Sequence, residues 1–300
     1  MRTLLLLLLA GVGLAGLHLV LLYGFVPYAA LAPALDAANT AAEVASAPWP
    51  AQPLAHNALD YARLRGVAWG LLIVGALGLY YWRSAARREA QRLAHDAHRA
   101  GRALAAGWRR QRLATRWATG ALLLAVAAVR TYLLVQMPFN PDEFVTVDYF
   151  VAPGPAVAAG FYLLPNNHLL HSLLVWPLLR WSPVGAPDLL ARLPVFGLGL
   201  IGLVVGFAVL TRLTTWRIAA LATLLFQFLP MGMEYAVTAR GYGPQTLCTQ
   251  AAWLAALVLL RGPRGHRFAW AVWAGASVVG FYFIPTFLYP FAGSVAAIVC

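Results

Sequence analysis

Lysine is missing from this chain: all 22 basic residues are Arg. Acids are scarce too, with Asp and Glu together numbering 10 in 300 residues. Charged residues make up only 11% of the chain and apolar ones 61%, and the mean hydropathy is +0.70. A soluble domain carries about 25% charged residues, so this balance excludes one. In lipid, only helices and closed barrels satisfy every backbone polar group. The apolar runs are continuous and do not alternate, which excludes a barrel. The expected fold class is therefore all-α, a polytopic transmembrane helical bundle. Cysteine is sparse as well. Cys248 and Cys300 provide no disulfide framework, and Cys248, within an apolar run, reads as a small buried residue. The lack of Lys fits a GC-rich coding sequence better than any chemistry.

The net charge of +12 suggests nucleic acid as a partner, but the position of the charge argues against it. Ten Arg fall between Arg83 and Arg116, against only Glu89 and Asp96. A basic block beside an apolar span marks a cytoplasmic loop, able at most to hold anionic lipid headgroups. No nucleic acid is expected as a partner.

A crossing helix needs about 20 apolar residues. Leu4–Tyr23 qualifies; it follows Arg2 and is long for a signal peptide, so an uncleaved anchor is expected. Pro27–Asp60 reads as an Ala/Pro-rich loop with Asp36, Glu43 and Asp60. Gly66–Trp82 is a second span ending in a Tyr80-Tyr81-Trp82 interfacial belt. Residues 83–117 read as a basic amphipathic cytoplasmic helix. Further spans are expected over Ala118–Met137, Leu189–Leu210, Ile218–Met233, Gln245–Leu260 and Phe268–Pro290. His168–Leu179 is apolar but short, interrupted by Pro177 and ended by Arg180. It suits an interfacial or re-entrant helix. With that segment not crossing, the count is about seven spans with the amino terminus inside. Arg2, 83–116, 212–217 and 261–267 then all face the cytoplasm, and eight of the 10 acids face outward. The expected organisation is an amino-terminal transmembrane hairpin (1–82), a basic cytoplasmic segment (83–117) and a transmembrane core (118–300). The apolar stretch running to Cys300 suggests that further carboxy-terminal sequence belongs to the core.

The polar residues at span ends are the chemical signal. Asn140-Pro141-Asp142-Glu143 follows the third span. Asn caps helices, Pro suits the first helical position, and acids in the first turn suit the helix dipole. That local role accounts for all four residues. The alternative is a carboxylate acting as general base at the membrane surface, with Asp148 as a supporting acid. Asn166-Asn167-His168 follows Pro165 and reads either as a turn and helix start or as a polar cluster with His171. Two His and nearby acids also permit a divalent metal, but no ligand spacing is specific; no cofactor is required. Arg240 and Tyr242, at another span end, are either interfacial anchors or an anion-binding pair. Arg192 lies near the outer end of the fourth span. Arg130 lies seven residues before Met137, inside the third span, where a charge is costly and marks function by default unless it snorkels.

Taken in order, these motifs resemble the GT-C glycosyltransferases of the protein O-mannosyltransferase and aminoarabinose-transferase type. Those carry an Asp-Glu pair in the first outward loop, here Asp142-Glu143. A juxtamembrane His-Pro-Pro-Leu or Asn-His-Pro-Leu segment follows, here Asn167-His168-Leu169-Leu170. Then come an Arg-Leu-Pro opening a span, here Arg192-Leu193-Pro194, and an Ala-Arg-x-Tyr after Glu-Tyr, here Glu234-Tyr235 and Ala239-Arg240-Gly241-Tyr242. The resemblance covers about residues 118–290. Leu169 departs from the motif proline, the family's carboxy-terminal spans are absent, and residues 1–82 are additional.

The resemblance implies a bacterial inner-membrane enzyme that moves a sugar from a polyprenyl-phosphate donor to a lipid, glycan or protein hydroxyl at the extracytoplasmic face. Asp142 would be the base, and Glu143 would orient the acceptor or bind a metal. Arg240, Arg192 and His168 would meet the phosphate, with Asn167, Tyr242 and Arg130 as further substrate contacts. A phosphate leaving group needs charge neutralisation more than a proton, which suits one carboxylate and several Arg forks. Two other classes stay open: a transporter or flippase of a lipid-linked substrate, with Arg130 and Asp142 along its path, and a non-catalytic membrane subunit.

Overall fold

The computed structural model describes residues 2–44, 57–160, 167–182, 185–261 and 267–299. Among these residues every regular element is helical. In chain order the helices are α1 (Arg2–Leu19), α2 (Tyr28–Val44), α3 (Ala58–Tyr81), α4 (Arg83–Arg110), α5 (Leu113–Gln136), α6 (Pro141–Val145) and α7 (Pro155–Gly160). They continue as α8 (Leu169–Trp181), α9 (Pro187–Leu213), α10 (Trp216–Gln227), α11 (Pro230–Tyr235), α12 (Tyr242–Leu260), α13 (Arg267–Phe283) and α14 (Leu288–Val299). Pro165, Asn166, Arg264, His266 and Cys300 lie outside the described residues.

Four helices are long and apolar enough to cross a membrane: α3, α5, α9 and α12. A fifth candidate is the pair Leu8–Gly24 and Tyr28–Ala37, bent by 85°. The bend falls at Pro27, which has no N–H to offer and disfavours helix in the residue before it. Two expected spans are interrupted. The run 218–233 stops at Gln227, because Pro230 starts a new short helix, and the 12 residues of α10 span only about 18 Å. The run 268–290 stops at Phe283, where Ile284 turns extended before Pro285. The expected loop after Pro27 is helical over Tyr28–Val44. Its Ala-rich sequence favours helix, and Leu31 and Leu35, four residues apart, are both buried.

The chain divides into two compact units, residues 1–94 with 148–167, and residues 95–147 with 168–300. In the first unit α1 lies along α3. Gly16 permits this, since a side chain there would run into the backbone of Leu71 and Leu72; small residues give close approach in lipid-embedded pairs. The Tyr61 hydroxyl donates to the carbonyls of Tyr23 (3.0 Å) and Val26 (2.6 Å), fixing the chain as it enters the bend. α4 is a 28-residue basic helix with no buried residue.

In the second unit α12 packs on α9, α13 and α14, and α9 also meets α5, α8 and α10. One apolar cluster joins Cys248, Ala252, Phe283 and Phe287, and another joins Leu134, Ala236 and Val237. Hydrogen bonds define two opposite ends of this unit. At one end Trp216 donates to Thr119 (2.7 Å) and Arg261 to the Leu213 carbonyl (2.9 Å). Arg212, Arg217 and Arg261 lie there. The other end gathers Asn140–Glu143, His168, Arg192 and Ala239–Tyr242.

Candidate functional site

The site begins with a helix start. The Asn140 side chain accepts the Glu143 N–H at 2.9 Å, and Glu143 Oε2 accepts the Asn140 N–H at 3.0 Å. With Pro141 at the first position, this is a reciprocal capping box. The box ties the Glu143 side chain back to Asn140, and Asp142 takes no part in it.

Glu143 is completely buried. Arg192 donates to it twice, Nε to Oε1 at 2.8 Å and Nη2 to Oε2 at 2.6 Å. The Ala239 N–H donates to Oε1 at 2.5 Å. Arg192, 3% exposed, also donates to the carbonyls of Met137 (2.8 Å) and Pro138 (2.9 Å). Every nitrogen of Arg192 thus has a protein acceptor. The bidentate pair joins the end of α5, the start of α6, α9 and the strap before α12, and it positions the residues around it. Neither residue faces outward, although the sequence suggested that Glu143 would meet an acceptor or metal and Arg192 a phosphate.

Asp142 takes the opposite direction. Its side chain is 50% exposed and receives Arg240 Nη1 at 2.6 Å. Arg240 directs Nε toward His168 Nε2 and Nη2 toward the Tyr242 hydroxyl, both at 3.4 Å. Its guanidinium lies over the Tyr242 ring, 4.7 Å from the centroid. Tyr242 stacks on Tyr235 (4.6 Å) and meets His168 edge-on (5.0 Å). Arg240 is therefore a cation held by rings, with one carboxylate at its open side.

His168 is buried and kept neutral. Burial first, then His171, then Arg240 push its pKa down to about 3. Its Nε2 accepts from Arg240, so Nδ1 carries the hydrogen. His171 is also pushed down by burial, to about 4, partly offset by its bond to the Ala191 carbonyl (3.1 Å) and by Glu143. Gly241 makes room for the His168 ring: a Cβ there would sit 3.0 Å from its Cβ and Nδ1.

The structure thus brings together Asp142, Glu143, His168, Arg192, Arg240 and Tyr242 from four stretches of chain. Asn167 and Asp148 belong to the first unit, where the Asn167 amide donates to the Ala158 carbonyl at 2.7 Å. Arg130 lies inside α5, away from the cluster, and binds Gln227. Sequence reasoning missed Tyr235, the Ala239 N–H and the carbonyls of Met137 and Pro138. Backbone groups have no sequence signature, but Tyr235 stood within the quoted Glu-Tyr. Among the described residues no three His, Cys, Asp or Glu side chains converge to hold a metal.

Fold and site together define an all-helical protein with membrane-length apolar helices and an ion-paired polar cluster at one end of its larger unit. The chain matches no protein-family model, and no curated protein or solved structure matches it.

Proposed function

We propose that this chain is a membrane glycosyltransferase of the GT-C kind, taking a sugar from a polyprenyl-phosphate donor. One observation carries the proposal: an outward carboxylate, Asp142, is paired with a ring-cradled Arg240 beside a neutral His168. In the reaction the donor phosphate takes the place of Asp142 on the Arg240 fork. The freed Asp142 carboxylate accepts the proton of the acceptor hydroxyl. That oxygen attacks the anomeric carbon, the carbon–oxygen bond to phosphate breaks, and the phosphate leaves with the electron pair. Arg240 neutralises the charge that develops on it. His168, neutral, adds no cation but can hold a polar group in place. Direct displacement inverts the anomeric centre.

The proposed topology has seven crossings with the amino terminus in the cytoplasm of a bacterial inner-membrane cell. The broken helices α10–α11 and α13 with its Pro285 turn complete crossings. The division of charge within the second unit supports this: Arg212, Arg217 and Arg261 lie opposite Asp142 and Glu143, as the positive-inside rule requires. The contact between Asp142 and Arg240 also fits a short α8 that does not cross.

The test is transfer from radiolabelled polyprenyl-phosphate sugars in membranes of a strain lacking the chain, complemented with wild type or Asp142→Asn. A general base predicts a rate loss of about 10²–10⁴ with donor binding retained. Near-normal turnover at normal expression removes Asp142 from catalysis. No transfer by the wild type, with donor transport across vesicles instead, favours a flippase.

A further inference from the structure

Arg130 sits inside α5 and is 7% exposed. Nη2 donates to the Gln227 side chain. Nε and Nη1 have no hydrogen-bond partner among the described residues. An unpaired guanidinium inside a membrane-spanning helix is very costly, and a buried donor left unmade costs more again. Such a group is kept only where something pairs with it.

Beside it lies a cavity of about 30 Å³, lined by Arg130, Gln227, Thr246, Gln250 and apolar or glycine residues from α9 to α12. Among the described residues no acid lines it, and Arg130 is the single cation. Glycine keeps the space open: a Cβ at Gly199 would meet Arg130 Nη1 at 2.8 Å. One water needs roughly 10–15 Å³ measured in this way, so the cavity holds about two waters or one compact ion. One guanidinium calls for one negative charge. A phosphate dianion would leave charge uncompensated here, and no acidic side chain is at hand.

We propose that this cavity binds a small monovalent anion of halide size, held by Arg130 Nε and Nη1 with help from the Gln250 amide. The anion completes the charge balance of the membrane interior and ties α5 to α9 and α12. The cavity shares Tyr235 with the Asp142–Arg240 cluster, but neither Asp142 nor Arg240 lines it, and the inference holds whether or not the chain is a transferase.

The test uses the full chain purified in detergent, with thermal unfolding followed in sodium chloride, sodium bromide, sodium phosphate and sodium gluconate at matched ionic strength. The wild type is expected to gain roughly 5 °C, saturably, in chloride and bromide relative to gluconate, as a bound ion at about 100 times its Kd would give. Arg130→Gln should lose that response. If Arg130→Gln does not fold, Gly199→Ala serves, since its methyl displaces the guanidinium and should weaken the halide response at least tenfold in midpoint. A wild type indifferent to halide overturns the proposal. An equal halide response in Arg130→Gln also overturns it, because the effect is then a general salt effect. Stabilisation by phosphate and not by halide rejects the halide assignment and points to an oxyanion instead.

Discussion

Glu143 and Asp142 are neighbours with opposite fates, and Glu143→Gln exploits the contrast. The amide has the volume of the carboxylate. Its oxygen can still accept from Arg192 Nε and the Ala239 N–H, as Oε1 does now. Its NH2, however, takes the place of Oε2, which receives Arg192 Nη2 and the Asn140 N–H. Donor then faces donor at both contacts. The Arg192 charge also loses its partner in a site only 3% exposed. Breaking a buried pair in this way costs about 3–5 kcal/mol, or roughly 10 °C in melting temperature for a unit of this size. Asp142→Asn removes a partner that is 50% exposed, so it should cost about 1 kcal/mol or less. Thermal unfolding in detergent, followed by intrinsic tryptophan fluorescence, measures both. Adding Arg192→Met to Glu143→Gln removes the stranded charge. The double variant should be no less stable than Glu143→Gln alone, a coupling that independent sites do not show. A Glu143→Gln protein within about 1 kcal/mol of wild type would refute the clamp and its role in placing Arg240.

The two buried His make stability pH-dependent. Their folded pKa values are depressed, to about 3 for His168 and about 4 for His171, so the unfolded chain takes up protons below about pH 6.5 that the folded site refuses. Stability present above pH 6.5 should fall by about 2 kcal/mol per group at pH 5. His168→Asn should flatten that curve in melts run from pH 7.5 to 5; an unchanged slope contradicts it. Arg240→Lys keeps the charge and loses the fork, so donor KM should rise roughly tenfold or more; an unchanged KM would leave Arg240 a mere anchor. Gly241→Ala presses on the His168 ring and should cost about 1–3 kcal/mol, read in the same melts as Glu143→Gln. For topology, single Cys at the exposed positions Pro141 and Glu234, in a chain lacking Cys248 and Cys300, should both label with an impermeant thiol reagent in intact cells. A Cys at Arg99 should label only after lysis, and Glu234→Cys labelling only after lysis would break the proposed sidedness.

The sequence by itself determined that the chain is helical, with apolar runs long enough to cross a membrane. Scarce charge and continuous apolar runs leave the backbone no other way to satisfy its polar groups in lipid. It also showed the helix start, because Asn-Pro followed by two acids is a local pattern with local chemistry. It placed α3, α5, α9 and α12, whose apolar runs contain no late proline that stops the helix. Runs 218–233 and 268–290 were overstated, since hydropathy averages across Pro230 and Pro285 while the backbone breaks at them. Only the tertiary structure separated Asp142 from Glu143. Both are acids in one helix turn, but the side chain's direction depends on Arg192, 49 residues away, and on the Ala239 N–H, 96 residues away. Likewise, Arg192 and Arg240 are alike in sequence, one at each of two span ends. Packing surrounds the first with backbone carbonyls and opens the second toward an exposed carboxylate. Arg130 stood out from sequence by its depth alone; what lies beside it, a cavity with no acid among its described lining residues, is set by five helices that meet only in the fold.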